Sequence, residues 1–132
     1  MAVGLRTPAI EAEKMNQKYG CALASMVQKE ETIEVPSVGG RKPRILSRQI
    51  LAEIIEPRVE EIFSLIRQEI VKSGYEDVIA SGVVLTGGGA LLHGMDQLLM
   101  NELNIPVYVA ENALKCVAEG TGIMLENLHI VG

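Results

Sequence analysis

Nine apolar residues between positions 50 and 70 carry the clearest period in the chain. Ile50, Leu51, Ile54, Ile55, Val59, Ile62, Phe63, Ile66 and Ile70 recur at steps of three and four, which places them on one stripe of an α-helix. Ser47 stands where it can cap that helix, and Ser73-Gly74 can end it. Pro57 lies inside the pattern and has no backbone donor, so a kink or break is predicted near Glu56. Upstream, Ala9, Ala12, Met15 and Tyr19 predict a helix from about 8 to 19, with Thr7 as its N-cap, Pro8 in the first helical position and Gly20 after its end. Between the helices the period shortens to two. "ETIEV" alternates charged and β-branched residues, "SVGG" supplies turn chemistry and "PRIL" resumes an extended pattern, which together predict a hairpin.

The second half changes alphabet at "SGVVLTGGGALLHG", residues 81–94. "VVLT" has no polar alternation, as expected of a strand covered on both faces. Met95, Leu98, Leu99 and Leu103 predict a helix, and "IPVYVA" predicts a second strand, so the order is that of a right-handed βαβ unit. A last helix is predicted over roughly Ala113–Leu128, with a small-residue face at Ala118, Gly120 and Gly122 that would admit a backbone or ligand at close range. The expected class is α/β in two parts. Residues 1–80 form a hairpin and long-helix subdomain, and residues 81–132 form a βαβ unit with a C-terminal helix.

Composition narrows this picture. The 132 residues are 48% apolar but include no Trp, one Phe and three Tyr, so the core must be aliphatic, which suits helices packed on a sheet. A net charge of −5 without a run of Lys or Arg argues against a nucleic-acid surface. No apolar segment reaches the roughly 20 residues a bilayer requires. Cys21 and Cys116 are far apart and lack metal spacing, as expected of a protein from a reducing cytoplasm. His93 has no second ligand nearby and reads as a loop residue, and the six Met residues read as core fillers.

A strand that ends in glycines ahead of a helix leaves backbone N–H groups for an anion or a polar ring edge. It also lets a flat group lie on bare peptide planes. "GGGALLHG" matches neither the GxxxxGK[ST] nor the GxGxxG fingerprint, so phosphate cradling by this loop alone is a weak reading. A tight turn and a ligand contact remain the two alternatives.

Longer words in the chain bring in known families. "VVLTGGGALLHGMDQLL", "NIPVYVAEN" and "CVAEGTGIMLENL", over about residues 82–129, resemble the C-terminal part of the bacterial rod-shape actin homologue MreB. "AVGLRTPAIEAEKMNQKYGCALAS" and "ETIEVPSVGGRKPRILSRQILAEIIEPRVEEI", over about 2–81, resemble the cell-division actin homologue FtsA. The two resemblances meet near "VVLTGGG", where both families use similar words. They imply either an FtsA relative with an MreB-like tail or a spliced or designed chain, in both cases a partial second domain of the actin, hexokinase and heat-shock ATPase fold.

The resemblance implies an ATP site in the whole protein. The base would rest on an adenosine loop at Gly87, Gly88 and Gly89, with Glu13 near the ribose and Asn16 where relatives usually carry a lysine. Mg would be held only through two phosphate hairpins that this stretch does not contain, so no catalytic or metal-ligating residue is named and no hydrolysis is expected from the chain alone. The resemblance also implies docking of the C-terminal peptide of the tubulin-like protein FtsZ on residues 8–80, with Arg48, Glu56 and Arg58 as polar contacts. The strand at Val83–Thr86, read as having lost its neighbours, predicts a dimer, a domain swap or a redesigned packing that covers it, and the resemblance implies self-association into a dimer or filament. Rival readings are a portion of a complete filament-forming ATPase of the MreB kind, or an unrelated small Rossmann-like domain.

Overall fold

A computed structural model describes residues 2–126. The longest element is α3, Arg48–Ser73. Ser47 precedes it in an extended conformation, and its hydroxyl oxygen accepts from the Gln49 N–H. Gly74 ends it in the left-handed region at φ 74°, a conformation that glycine adopts without steric cost. The helix continues without interruption through Pro57, so the expected break near Glu56 does not occur. Pro57 lies on the exposed side of the helix, where its ring meets solvent.

Two short helices come first, α1 at Ala2–Leu5 and α2 at Ala9–Tyr19. Thr7 does not cap α2. The residue before the helix is Pro8, which makes no side-chain cap. The buried Thr7 hydroxyl instead donates to the Pro36 carbonyl at 2.6 Å and ties the helix entry to the hairpin. That hairpin is β1, Thr32–Val35, paired antiparallel with β2, Arg44–Ser47. Gly39 and Gly40 both have φ above 70° in its turn, which a β-branched residue could not adopt without strain. Ile33 and Val35 point into the core while Thr32 and Glu34 face solvent, as the period of two requires.

Downstream, β3 (Val83–Leu85) pairs in parallel with β4 (Val107–Val109) through the intervening helix α4 (Met95–Leu103). Two sequence expectations change here. The β3 strand is paired along one edge and has not lost all its neighbours. It is also covered on one face only: Val83 and Leu85 pack on the core, whereas Val84 is 61% exposed beside its register partner Tyr108 at 59%. The sheet has two strands among the described residues, and its outer face at Val84 and Tyr108 is left to solvent. A final helix, α5, spans Cys116–Glu126. The remainder of its predicted span, to Leu128, lies outside the described residues. Among the described residues, nothing outside α5 lies within 4 Å of where a Cβ would sit on Gly120 or Gly122.

One cluster holds the two halves together. Leu51, Ile55, Val59 and Phe63 of α3 pack with Ile33 and Val35 of the hairpin and with Leu98, Leu99 and Val107 from the βαβ unit. Replacing Leu51, which is fully buried, by Ala is expected to cost about 2–5 kcal/mol of unfolding free energy through lost burial and a residual cavity. Val71→Ala, on the exposed side of the same helix, is expected to stay within about 0.5 kcal/mol. Chemical denaturation of the two variants measures the difference.

Candidate functional site

Three segments distant in sequence enclose a cleft of about 760 Å³. Helix α2 contributes Glu13 and Asn16 and is followed by Gly20. The glycine loop contributes Gly88 and Gly89, and α3 contributes Arg48 from its first position. Four of the five residues named for nucleotide contact therefore share one cavity. The fifth, Gly87, does not line it. Gly87 takes a φ of 82° and donates its N–H to the Ala113 carbonyl at 2.6 Å, so it makes the turn and anchors the loop.

The glycine wall is bare. Among the described residues, chain neighbours aside, no atom lies within 4 Å of a Cβ placed on Gly89, and at Gly88 the nearest is Leu114 Cδ2 at 3.5 Å. Among the described residues, packing does not require a glycine at Gly89, and the space above the two positions is open. Gly20 is the opposite case. A Cβ there would sit 2.3 Å from the Asn16 carbonyl oxygen, 2.5 Å from Asn16 Oδ1 and 2.8 Å from Leu92 Cδ1. The sequence signal at Gly20 was a helix stop, yet its further role is to let α2 and the loop close on each other. Asn16 Oδ1 is buried there without a hydrogen-bond partner among the described residues, an uncompensated polar atom at the cleft wall.

Charge in the cleft is mixed. Glu13 is exposed and accepts a long bond from Gln17 Nε2 at 3.4 Å, and Lys18 lies over the Tyr19 ring at 5.0 Å. Arg48 is the best-held group. Its Nε–H donates to the Tyr19 carbonyl at 2.9 Å and Nη1 to Glu31 Oε2 at 2.5 Å. Its backbone N–H donates to the Glu31 carbonyl at 2.8 Å. The Arg48 bond lowers the Glu31 pKa, helped by the Gln28 N–H that donates to the other carboxylate oxygen. His93 also lines the cleft, as an exposed side chain whose carbonyl accepts from Ala22 N–H at 2.7 Å.

The three residues named for partner contact do not form one cluster. Arg48 turns to the cleft. Glu56 accepts the Ala24 N–H at 2.8 Å, capping the short turn Ala24–Met26. Arg58 remains on the surface, 3.9 Å from Glu61. Nothing in the local sequence separated these roles, because Arg48 reaches the cleft through contacts 17 and 29 residues away.

With this geometry in place, comparison with known proteins is informative. The model of the MreB/Mbl protein family matches residues 2–131. The chain belongs to that family. It is also 50% identical over 107 residues to the cell division protein FtsA of Pseudomonas aeruginosa, covering 81% of this chain and 26% of that protein. It is 67% identical over 52 residues to the cell shape-determining protein Mbl of Bacillus cereus, covering 39% of this chain and 16% of that protein. The chain thus spans about a quarter of the length of its FtsA relative. A 107-residue alignment is longer than the stretch read as FtsA-like, so the FtsA likeness crosses the boundary near residue 81. The crystal structure of MreB5 of Spiroplasma citri bound to ADP superposes with a TM-score of 0.68 at 21% identity, over 90% of this chain and 38% of that one. The fold is therefore the expected partial actin-like α/β arrangement, in a family of bacterial cell-division and cell-shape proteins.

Gly20→Ala is expected to destabilise the chain by about 2 kcal/mol or more, since two of its three clashes are with the Asn16 residue itself. Thermal unfolding tests this. For Glu31, whose folded pKa is depressed, the stabilisation is fully present above the ordinary value near 4.5 and is lost as pH falls through the lower folded value. The melting temperature of the parent should therefore exceed that of Glu31→Gln at neutral pH, and the two should converge in acid below pH 4.5.

Proposed function

We propose that the cleft binds the adenosine part of an adenine nucleotide, as one wall of the ATP site of a longer actin-like protein. The observation that carries this reading is the open space above Gly88 and Gly89, facing Glu13 and Asn16 across one cavity. The size and the bare peptide wall fit a flat base, and the unpartnered Asn16 Oδ1 adds a polar atom at the rim. The ADP bound by the S. citri relative supports the same ligand class. No group of three or more His, Cys, Asp or Glu gathers among the described residues. A Mg ion would thus be held through groups outside this cleft, and the chain alone would bind nucleotide weakly without hydrolysing it.

A second contact is supported by a specific surface. Arg58, Ile62 and Ile66 follow one another at steps of four on α3 and are all exposed, so they share a face. One exposed cation, loosely paired with Glu61 at 3.9 Å, beside two apolar side chains suits an acidic, partly apolar peptide, and we assign the FtsZ C-terminal peptide to it, with Arg58 rather than Arg48 or Glu56 as the polar contact. Self-association belongs to the same reading, with the open face of β3 and β4 at Val84 and Tyr108 as its surface. The expected compartment is the cytoplasm, and no helix among the described residues is long and apolar enough to cross a membrane.

Gly89→Leu separates ligand contact from folding. The position has free space and no positive φ, so the variant should keep its melting temperature while losing nucleotide binding. In an NMR titration of the parent with ADP at millimolar concentration, the amides of Asn16, Gly88 and Gly89 should shift. Unmoved amides in the parent, or undiminished binding by the variant, would remove the cleft from the nucleotide site.

A further inference from the structure

Arg48 stands out among the cleft residues because the chain spends three hydrogen bonds on its orientation. The guanidinium is clamped at Nε by the Tyr19 carbonyl and at Nη1 by Glu31, and its own backbone N–H is fixed by the Glu31 carbonyl. Its side chain is 22% exposed and lines the cavity that holds Gly88 and Gly89. A guanidinium has five N–H groups in a planar fork. No hydrogen bond among the described residues uses Nη2, so the Nη2 edge of the guanidinium keeps uncommitted donors.

The partner of that edge follows from charge. Glu31 pairs with Arg48 at 2.5 Å, so much of the cation's field is cancelled where it enters the cleft. What remains is a fixed set of N–H donors more than a free positive charge, and Glu13 on the facing helix adds a carboxylate. This combination suits neutral acceptors, such as ring nitrogens and ribose oxygens, better than a polyphosphate. We propose that Arg48 is a ligand-contacting residue of the cleft that donates to the nucleoside part of the nucleotide, with Glu31 as the positioning residue that holds it. The proposal rests on the adenine-nucleotide reading above and assigns Arg48 a role in that site instead of in peptide docking.

The test uses the 132-residue chain, titrated in parallel with adenosine and with ADP. In the parent, the side-chain Nε–H resonance of Arg48 should move together with the Gly88 and Gly89 amides for both ligands. Arg48→Ala should weaken both ligands alike, by about tenfold, as for loss of a hydrogen bond to a charged donor. Glu31→Gln should weaken both by a smaller factor while the Arg48 Nε–H resonance shifts already in the free protein. If the glycine amides respond and the Arg48 resonance does not, Arg48 is structural and the proposal falls. A loss confined to ADP would make Arg48 a phosphate contact and overturn it as well. If neither responds to either ligand, the nucleotide reading fails and this one with it. The parent measurement decides the matter even if Arg48→Ala does not fold.

Discussion

Burial of one stripe of α3 is the constraint on which the remaining structure depends. With a single Phe and no Trp in the chain, the core has few large side chains and must be assembled from many aliphatic contacts. Leu51, Ala52, Ile55, Val59 and Phe63 supply them along one side of a 26-residue helix. The hairpin packs on its first turns, and the βαβ unit packs beside it through Leu98, Leu99 and Val107. Because the stripe is continuous, the two parts of the chain are held by one cluster instead of two separate cores.

That packing also decides where polar groups end up. Arg48 opens α3, so the helix position places it beside the end of α2 and the base of β1, where Tyr19 and Glu31 receive it. Eight residues on, Glu56 is spent on the Ala24 N–H. Each of these charges is used where a backbone group or a counter-charge would otherwise lack a partner. Arg58, one residue past Pro57, points away from both and is left for the surface.

The cleft is open because of two kinds of glycine. Gly20 lets α2 and the glycine loop approach until no Cβ could fit between them, while Gly88 and Gly89 leave a wall with nothing built on it. Close approach in one place and vacancy in the next give a cavity with a firm back and a flat floor. The MreB/Mbl family match runs across both walls of this cavity, and the FtsA likeness extends past the boundary near residue 81 as well.

Much of the fold was legible as periodicity. Local spacing determined α2, the hairpin, α3 with its Ser47 cap and Gly74 stop, the two short strands and α4, because helix and strand periods and turn residues act within a few positions. The family resemblance, and not the local spacing, named Gly87, Gly88, Gly89, Glu13 and Asn16 for one site, and all but Gly87 line one cleft. What local spacing could not supply was any fact that depends on which segments meet. Thr7 serves the hairpin because Pro36 lies against it, Pro57 is carried within an intact helix, and β3 is paired with β4 but packs only its Val83 and Leu85 face on the core. Arg48 lines the cleft because its two acceptors, 17 and 29 residues upstream, hold it there. Hydrogen bonds and burial form between groups close in space, so the roles of these side chains were decided by tertiary packing, while the elements that carry them were written in the sequence.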